Sequence, residues 1–166
     1  MSIREAMRRF RELHEDHKGG AFKSPEARAF YESERDEFLL ALLKGQQLAV
    51  KAGQSPRQAL RVAVAVEAVL LIGPRRETAT TVDLASAGFA AIVPSPLGLN
   101  ILCDFELGGA DPVRGRARVV ACTRDPSGRY RASFAILTMS DADRTRLDIA
   151  VIDLALGAAT ASGLLG

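Results

Sequence analysis

The spacing of apolar residues changes once along this chain, near Arg61, and that change limits what the chain can fold into. Before it, Ile3, Ala6, Met7, Phe10, Leu13 and His17 recur at steps of three and four, the stripe of an amphipathic helix. After it, Val62, Val64 and Val66 alternate with Ala63, Ala65 and Glu67, and the run continues to Ile72. A period of two is that of a strand with one buried face. The chain is therefore expected to be α+β, with its helices first and its strands after them.

Punctuation residues divide the helical part. Gly19-Gly20 ends the first helix, and Ser24-Pro25-Glu26 starts a second with a capping oxygen, a proline at the first helical position and an acid in the first turn. That helix is expected to run to about Ala52, with Gly53 as its stop and Gly45 as a weak point inside it. Composition shifts at the same boundary. Up to Arg61 there are 12 basic and 9 acidic residues, and from Val62 onward 10 and 11. All the lysines lie in the first part, and every basic residue after it is arginine.

The remainder reads as six short strands. The first spans Val62 to Ile72, and Gly73-Pro74-Arg75-Arg76 turns it into a second, Glu77 to Leu84. A third covers Phe89 to Val93, ended by Pro94 and Pro96, and a fourth Leu99 to Leu107, closed by Gly108-Gly109-Ala110-Asp111-Pro112. Val113 to Arg124 and Arg129 to Thr138 form a hairpin around Asp125-Pro126-Ser127-Gly128. Six strands with regular turns predict a small antiparallel barrel. Ser140 and Asp143 form a capping box for a last helix, about Asp141 to Leu156, whose Leu147, Ala150, Val151 and Leu154 make an apolar face suited to an open barrel end. The expected organisation is a helical extension at residues 1–53, a barrel with its C-terminal helix at 54–157, and a flexible tail at 158–166.

Several function classes are disfavoured. A net charge of +2 is too small to point to nucleic acid. Cys103 and Cys122 make no disulfide framework. Arg4, Glu5, Arg8 and Arg9 leave no apolar run for a secretory signal, and Asp153 interrupts the one stretch, Ile149 to Leu165, that approaches a membrane span. A cytoplasmic protein with no membrane association is expected. His14 and His17, as His-Glu-Asp-His on the first helix, lack the further ligands a metal site needs and read as a solvated helix face. No nucleophile with a base, P-loop or Gly-x-Gly-x-x-Gly is present, so no enzyme and no cofactor are expected. Arg114, Arg116 and Arg118 alternate along one strand and read as a solvent-facing stripe.

One constellation stands out at the junction of helix and barrel. Arg57-Gln58-Ala59-Leu60-Arg61 is an Arg-x-x-x-Arg element just before the first strand, and Asp83-Leu84-Ala85-Ser86-Ala87-Gly88 ends the second. Here the sequence resembles the PilZ domain, a bacterial module that binds the second messenger cyclic di-GMP. That family carries Arg-x-x-x-Arg before the first strand and Asp/Asn-x-Ser-x-x-Gly after the second, on a six-stranded antiparallel barrel with a C-terminal helix. The resemblance covers about Ser55 to Leu156. It implies a cyclic di-GMP site at Arg57, Arg61, Asp83 and Gly88, and no catalysis.

The chemistry is consistent with those roles. Arginine matches phosphate, and the O6/N7 edge of guanine, with a rigid fork, and it stacks on flat bases. A carboxylate at Asp83 accepts from guanine N1 and N2, and Gly88 permits a tight turn and close approach of backbone to ligand. The family serine falls at Ala85, with Ser86 one place later as the candidate substitute. Losing one neutral hydrogen bond costs about 0.5–1.5 kcal/mol, which weakens binding without abolishing it. The leading expectation is an effector in which ligand binding rearranges the N-terminal helices toward a protein partner or self-association. The alternative is a degenerate adaptor that binds no nucleotide.

Overall fold

The computed structural model describes residues 3–17, 22–48 and 61–161. The element order is α1 (Ile3–His17), α2 (Pro25–Leu48), β1 (Val62–Ala63), β2 (Glu67–Ile72), β3 (Arg75–Ala85), β4 (Gly88–Val93), β5 (Leu102–Leu107), β6 (Val113–Arg124), β7 (Tyr130–Thr138) and α3 (Asp141–Ala161). The chain divides into two compact units, Arg61–Val151 and Met1–Leu60 with Ile152–Gly166, so the division falls within α3. No described helix is long and apolar enough to cross a membrane.

In the helical unit the expected start signals operate. The Ser24 hydroxyl accepts from the Ala27 amide at 3.1 Å, capping α2. Phe10 of α1 stacks on Phe38 of α2 and meets Tyr31, with ring centroids 4.8 and 5.7 Å apart. His14, one turn after Phe10, is fully buried rather than solvated. Its Nδ1 lies 2.8 Å from the Tyr31 hydroxyl and its Nε2 lies 3.4 Å from Asp153 of α3. His17 stacks on Phe22. The reading of these histidines as a solvated face is thus corrected. The Tyr31 ring of α2 and the Asp153 carboxylate of α3 close over His14, beside Phe10 of its own helix, and one helix's periodicity does not contain them.

The barrel unit closes through β3–β2–β5–β6–β7–β4 and back to β3, all neighbours antiparallel. β1 pairs with the same edge of β3 as β2, further along it. The expected single strand from Val62 to Ile72 is therefore broken. Residues 64–66 keep two backbone bonds to β3, from the Val64 amide to the Val82 carbonyl at 3.1 Å and from the Thr81 amide to the Val66 carbonyl at 3.0 Å. The Thr81 hydroxyl interrupts the regular pairing, donating to the Val64 carbonyl at 2.7 Å and accepting from the Val66 amide at 2.9 Å. Stacked Phe89 and Phe134, centroids 4.8 Å apart, fill the interior with Phe105 edge-on to Phe89. Gly115 is required there, because a Cβ would lie 2.6 Å from the Phe105 ring. β5 begins at Leu102, three residues later than expected, after Asn100 takes a φ of +66°.

At one end of the barrel lie the β3–β4 turn, the β5–β6 loop and the start of α3. The Ser140 hydroxyl accepts from the Asp143 amide, the N-cap half of a capping box, and donates to the Asp143 carboxylate, both at 3.1 Å. Arg144 then donates to the Ser86 carbonyl of the β3–β4 turn. Arg146 donates to the Pro112 carbonyl at 3.3 Å and pairs with Asp111 at 3.1 Å. Leu147 and Val151 of the same helix are buried. α3 runs to Ala161, five residues beyond the expected Leu156, so residues 158–161, expected in the flexible tail, are helical.

Candidate functional site

A single extra residue in β3 creates the site. Thr81 pairs with Ala91 of β4 and Asp83 pairs with Ala90, so Val82 is a bulge. Before it, Ala79 and Thr81 face inward. After it, Leu84 faces inward, opposite Phe89 and Val62. Without the bulge, alternation would turn the Asp83 carboxylate into the apolar interior. With it, Asp83 shares the outer face with Ala90 and with Ser133 of β7, directly across the sheet.

Two guanidinium groups flank that carboxylate. Arg61 precedes β1, whose Ala63 lies opposite Asp83, and its Nη1 stands 3.6 Å from Asp83 Oδ1. Arg131 of β7 brings Nη2 to 3.4 Å from Oδ2. Asp83 is 7% exposed, while the arginine side chains are 43% and 47% exposed. A buried carboxylate thus lies between two cations that keep much of their surface in solvent. Asp83 Oδ1 accepts no hydrogen bond among the described residues, so a buried acceptor remains for a donor to reach.

The sequence-derived residues fall into three groups. Arg61 and Asp83 are brought together. Ser86 and Gly88 lie just beyond Asp83, Ser86 in the two-residue turn and Gly88 opposite Ala85 at the start of β4. Ser86 is off the strand, whereas Ala85 shares the Asp83 face and is 4% exposed, so no hydroxyl stands in the strand where the motif has one. A Cβ on Gly88 would collide with the backbone of Phe134, so the glycine is needed for strand packing whatever ligand is bound. Arg57 lies outside the described residues.

Arg131 was missed. The alternation of β7 puts it on the outer face with Ser133, but its reach to Asp83 spans 48 positions of sequence, which local pattern does not reveal. The Arg114, Arg116 and Arg118 stripe is occupied by its neighbours. Arg114 pairs with Glu106 at 3.4 Å, Arg116 with Asp104 at 3.9 Å, and Arg118 donates to Asn100 at 3.0 Å. Among the described residues no three His, Cys, Asp or Glu side chains gather as a metal site.

The molecule is thus a closed six-stranded antiparallel barrel with an anchored C-terminal helix and an arginine-flanked carboxylate near the end of β3. The PilZ domain model matches residues 55–152, more than half of the chain, and the chain belongs to that family. Among solved structures, the PilZ domain of YcgR from Escherichia coli with c-di-GMP aligns at a TM-score of 0.54 and 15% identity, covering 66% of this chain and 98% of that one. The K. pneumonia MrkH–c-di-GMP complex aligns at 0.57 and 15%, covering 65% and 56%. The Bacillus subtilis inhibitor of motility MotI/DgrA aligns at 0.54 and 13%, covering 63% and 53%. The chain thus spans about half the length of MotI and MrkH, and at these identities the likeness is one of fold. No curated protein matches its sequence.

Proposed function

We propose that this chain is a non-enzymatic receptor for cyclic di-GMP, held at the Arg61–Asp83 face of the barrel. The observation that carries this reading is the Asp83 carboxylate, turned outward by the Val82 bulge and flanked by Arg61 in a PilZ barrel. An Arg-x-x-x-Arg connector supplies phosphate and guanine contacts, and Asp83 accepts from the guanine N1 and N2 donors. Neighbours of the same fold that were solved with c-di-GMP support the ligand class.

The coupling follows from where the arginines sit in sequence. Arg57 and Arg61 belong to the segment that joins the helices to the barrel, so a ligand gathering them acts on that joint. Binding then shifts the helices between states by its differential affinity for them, and a protein partner or a second copy reads the change. The alternative, an adaptor without nucleotide, draws on Ala85, which lacks the motif's hydroxyl.

Calorimetric titration with cyclic di-GMP tests the reading, with GTP as control and an Arg57→Ala/Arg61→Ala variant beside the native chain. Saturable binding lost in the variant supports the receptor. No heat and no thermal shift at high ligand concentration leave the adaptor. Scattering profiles identical with and without bound ligand remove the coupling alone.

A further inference from the structure

We propose that Arg131 is a third arginine of this site, a positioning residue that aims Asp83 at the ligand's base and so sets guanine preference. The proposal rests on the cyclic di-GMP reading and deepens it.

Arg131 and Asp83 are not neighbours in register. Asp83 lies opposite Ala90 and then Ser133, whereas Arg131 lies opposite Ile92, one row along the same outer face. The arginine must cross β4 diagonally to place Nη2 3.4 Å from Oδ2. The crossing is open because β4 presents Ala90, a single methyl group, between them. This engages one carboxylate oxygen from the barrel itself. The other oxygen, Oδ1, faces Arg61 at 3.6 Å and accepts no hydrogen bond among the described residues.

The two arginines differ in their anchoring. Arg61 immediately precedes β1, while Arg131 sits inside β7, paired to β4 on one side and β6 on the other. When Arg61 turns to the ligand, Asp83 would be left as a buried, uncompensated charge without Arg131. With Arg131 in place, Oδ2 keeps its partner and the carboxylate plane stays set, with the buried Oδ1 left as the acceptor for the base. Guanine offers two adjacent donors, N1–H and the N2 amine, to such an oxygen. Adenine offers an acceptor at N1, which faces the carboxylate lone pairs and is rejected.

The test compares cyclic di-GMP with cyclic di-AMP, which has the same phosphate backbone, in titrations of the native chain, Arg131→Ala and Arg131→Lys, with melting curves for each. The native chain is expected to prefer cyclic di-GMP. Arg131→Ala is expected to lose about tenfold of that preference or more while still melting cooperatively. Arg131→Lys keeps the charge without the fork and is expected to recover part of it. An unchanged preference in Arg131→Ala overturns the assignment, as does an equal loss of affinity for both ligands, which marks a phosphate contact. A native chain that binds both ligands equally also overturns it. A native chain that binds neither overturns the receptor reading and this assignment together, an outcome distinguished by the native titration alone.

Discussion

Gly88 and Phe134 are in backbone contact that leaves no room for a side chain. A Cβ on Gly88 would overlap the Phe134 carbonyl oxygen, and would lie 3.3 Å from its carbonyl carbon and 3.5 Å from the Ala135 Cα. These are main-chain atoms of β7, held in the β4–β7 ladder, so they cannot rotate away as a side chain would. Gly88→Ala is expected to cost about 1–3 kcal/mol of barrel stability, the usual range for overpacking. Urea unfolding followed by circular dichroism measures it, since the chain has no tryptophan. A Gly88→Ala chain as stable as the native one would mean that β4 and β7 separate easily here.

In the helical unit the test lies at His14 and Tyr31, 2.8 Å apart and both buried. Tyr31→Phe strands a buried imidazole nitrogen and is expected to cost about 1–3 kcal/mol. His14→Phe/Tyr31→Phe removes both polar partners and releases Asp153, whose side chain is 49% exposed, to water. The double variant is therefore expected to be more stable than the sum of its parts, and a double-mutant cycle by thermal unfolding reads the difference. Additive effects would show that the hydrogen bond contributes nothing.

Cys103 gives the barrel an alkaline limit. Burial, with Asp104 beside it, pushes the thiol up from 9.0 to about 11. In the unfolded chain the thiol ionises near 9, so between pH 9 and 11 the unfolded state releases a proton that the folded state retains. Stability from this group is whole below pH 9 and is lost as pH rises through about 11, a change on the order of 2–3 kcal/mol. Denaturation midpoints of the native chain should fall across that window, and Cys103→Ala should flatten the fall. The same burial predicts that a thiol reagent at neutral pH labels the half-buried Cys122 before Cys103.

These positions show where sequence is informative and where it stops. The change of period at Arg61, the Ser24 and Ser140 caps and the β6–β7 hairpin were legible because each is set by residues a few positions apart. The break after Ala63 was not, because the Thr81 hydroxyl makes it from another strand, while Val64-Ala65-Val66 keeps the strand alternation. The Val82 bulge was equally hidden. It is a mismatch of register with β4, and it alone decides that Asp83 faces outward. The motif pointed to Asp83 and Arg61, which lie 3.6 Å apart, but Arg131 entered through the ladder β3–β4–β7. Two further bulges place Val120 and Leu137 outward, 44% and 46% exposed, against their apolar character.

Asp83 is expected to behave in the opposite way to Gly88, and the pair separates binding from folding. Asp83→Ala removes a buried carboxylate together with its desolvation cost. It leaves Arg61 and Arg131 facing each other, but at 43% and 47% exposure their repulsion is screened by water. Stability should therefore change by no more than about 1 kcal/mol. Binding should change far more. The two arginines retain attraction for phosphate, which salt screens, while the acceptor for the guanine N1 and N2 donors is gone. Titration of Asp83→Ala with cyclic di-GMP should show weakened binding with a steeper salt dependence, in a chain that melts close to the native temperature. If Asp83→Ala instead unfolds the barrel and binds normally where folded, the carboxylate is a structural tie between β3 and β7, and the ligand contacts lie elsewhere on the domain.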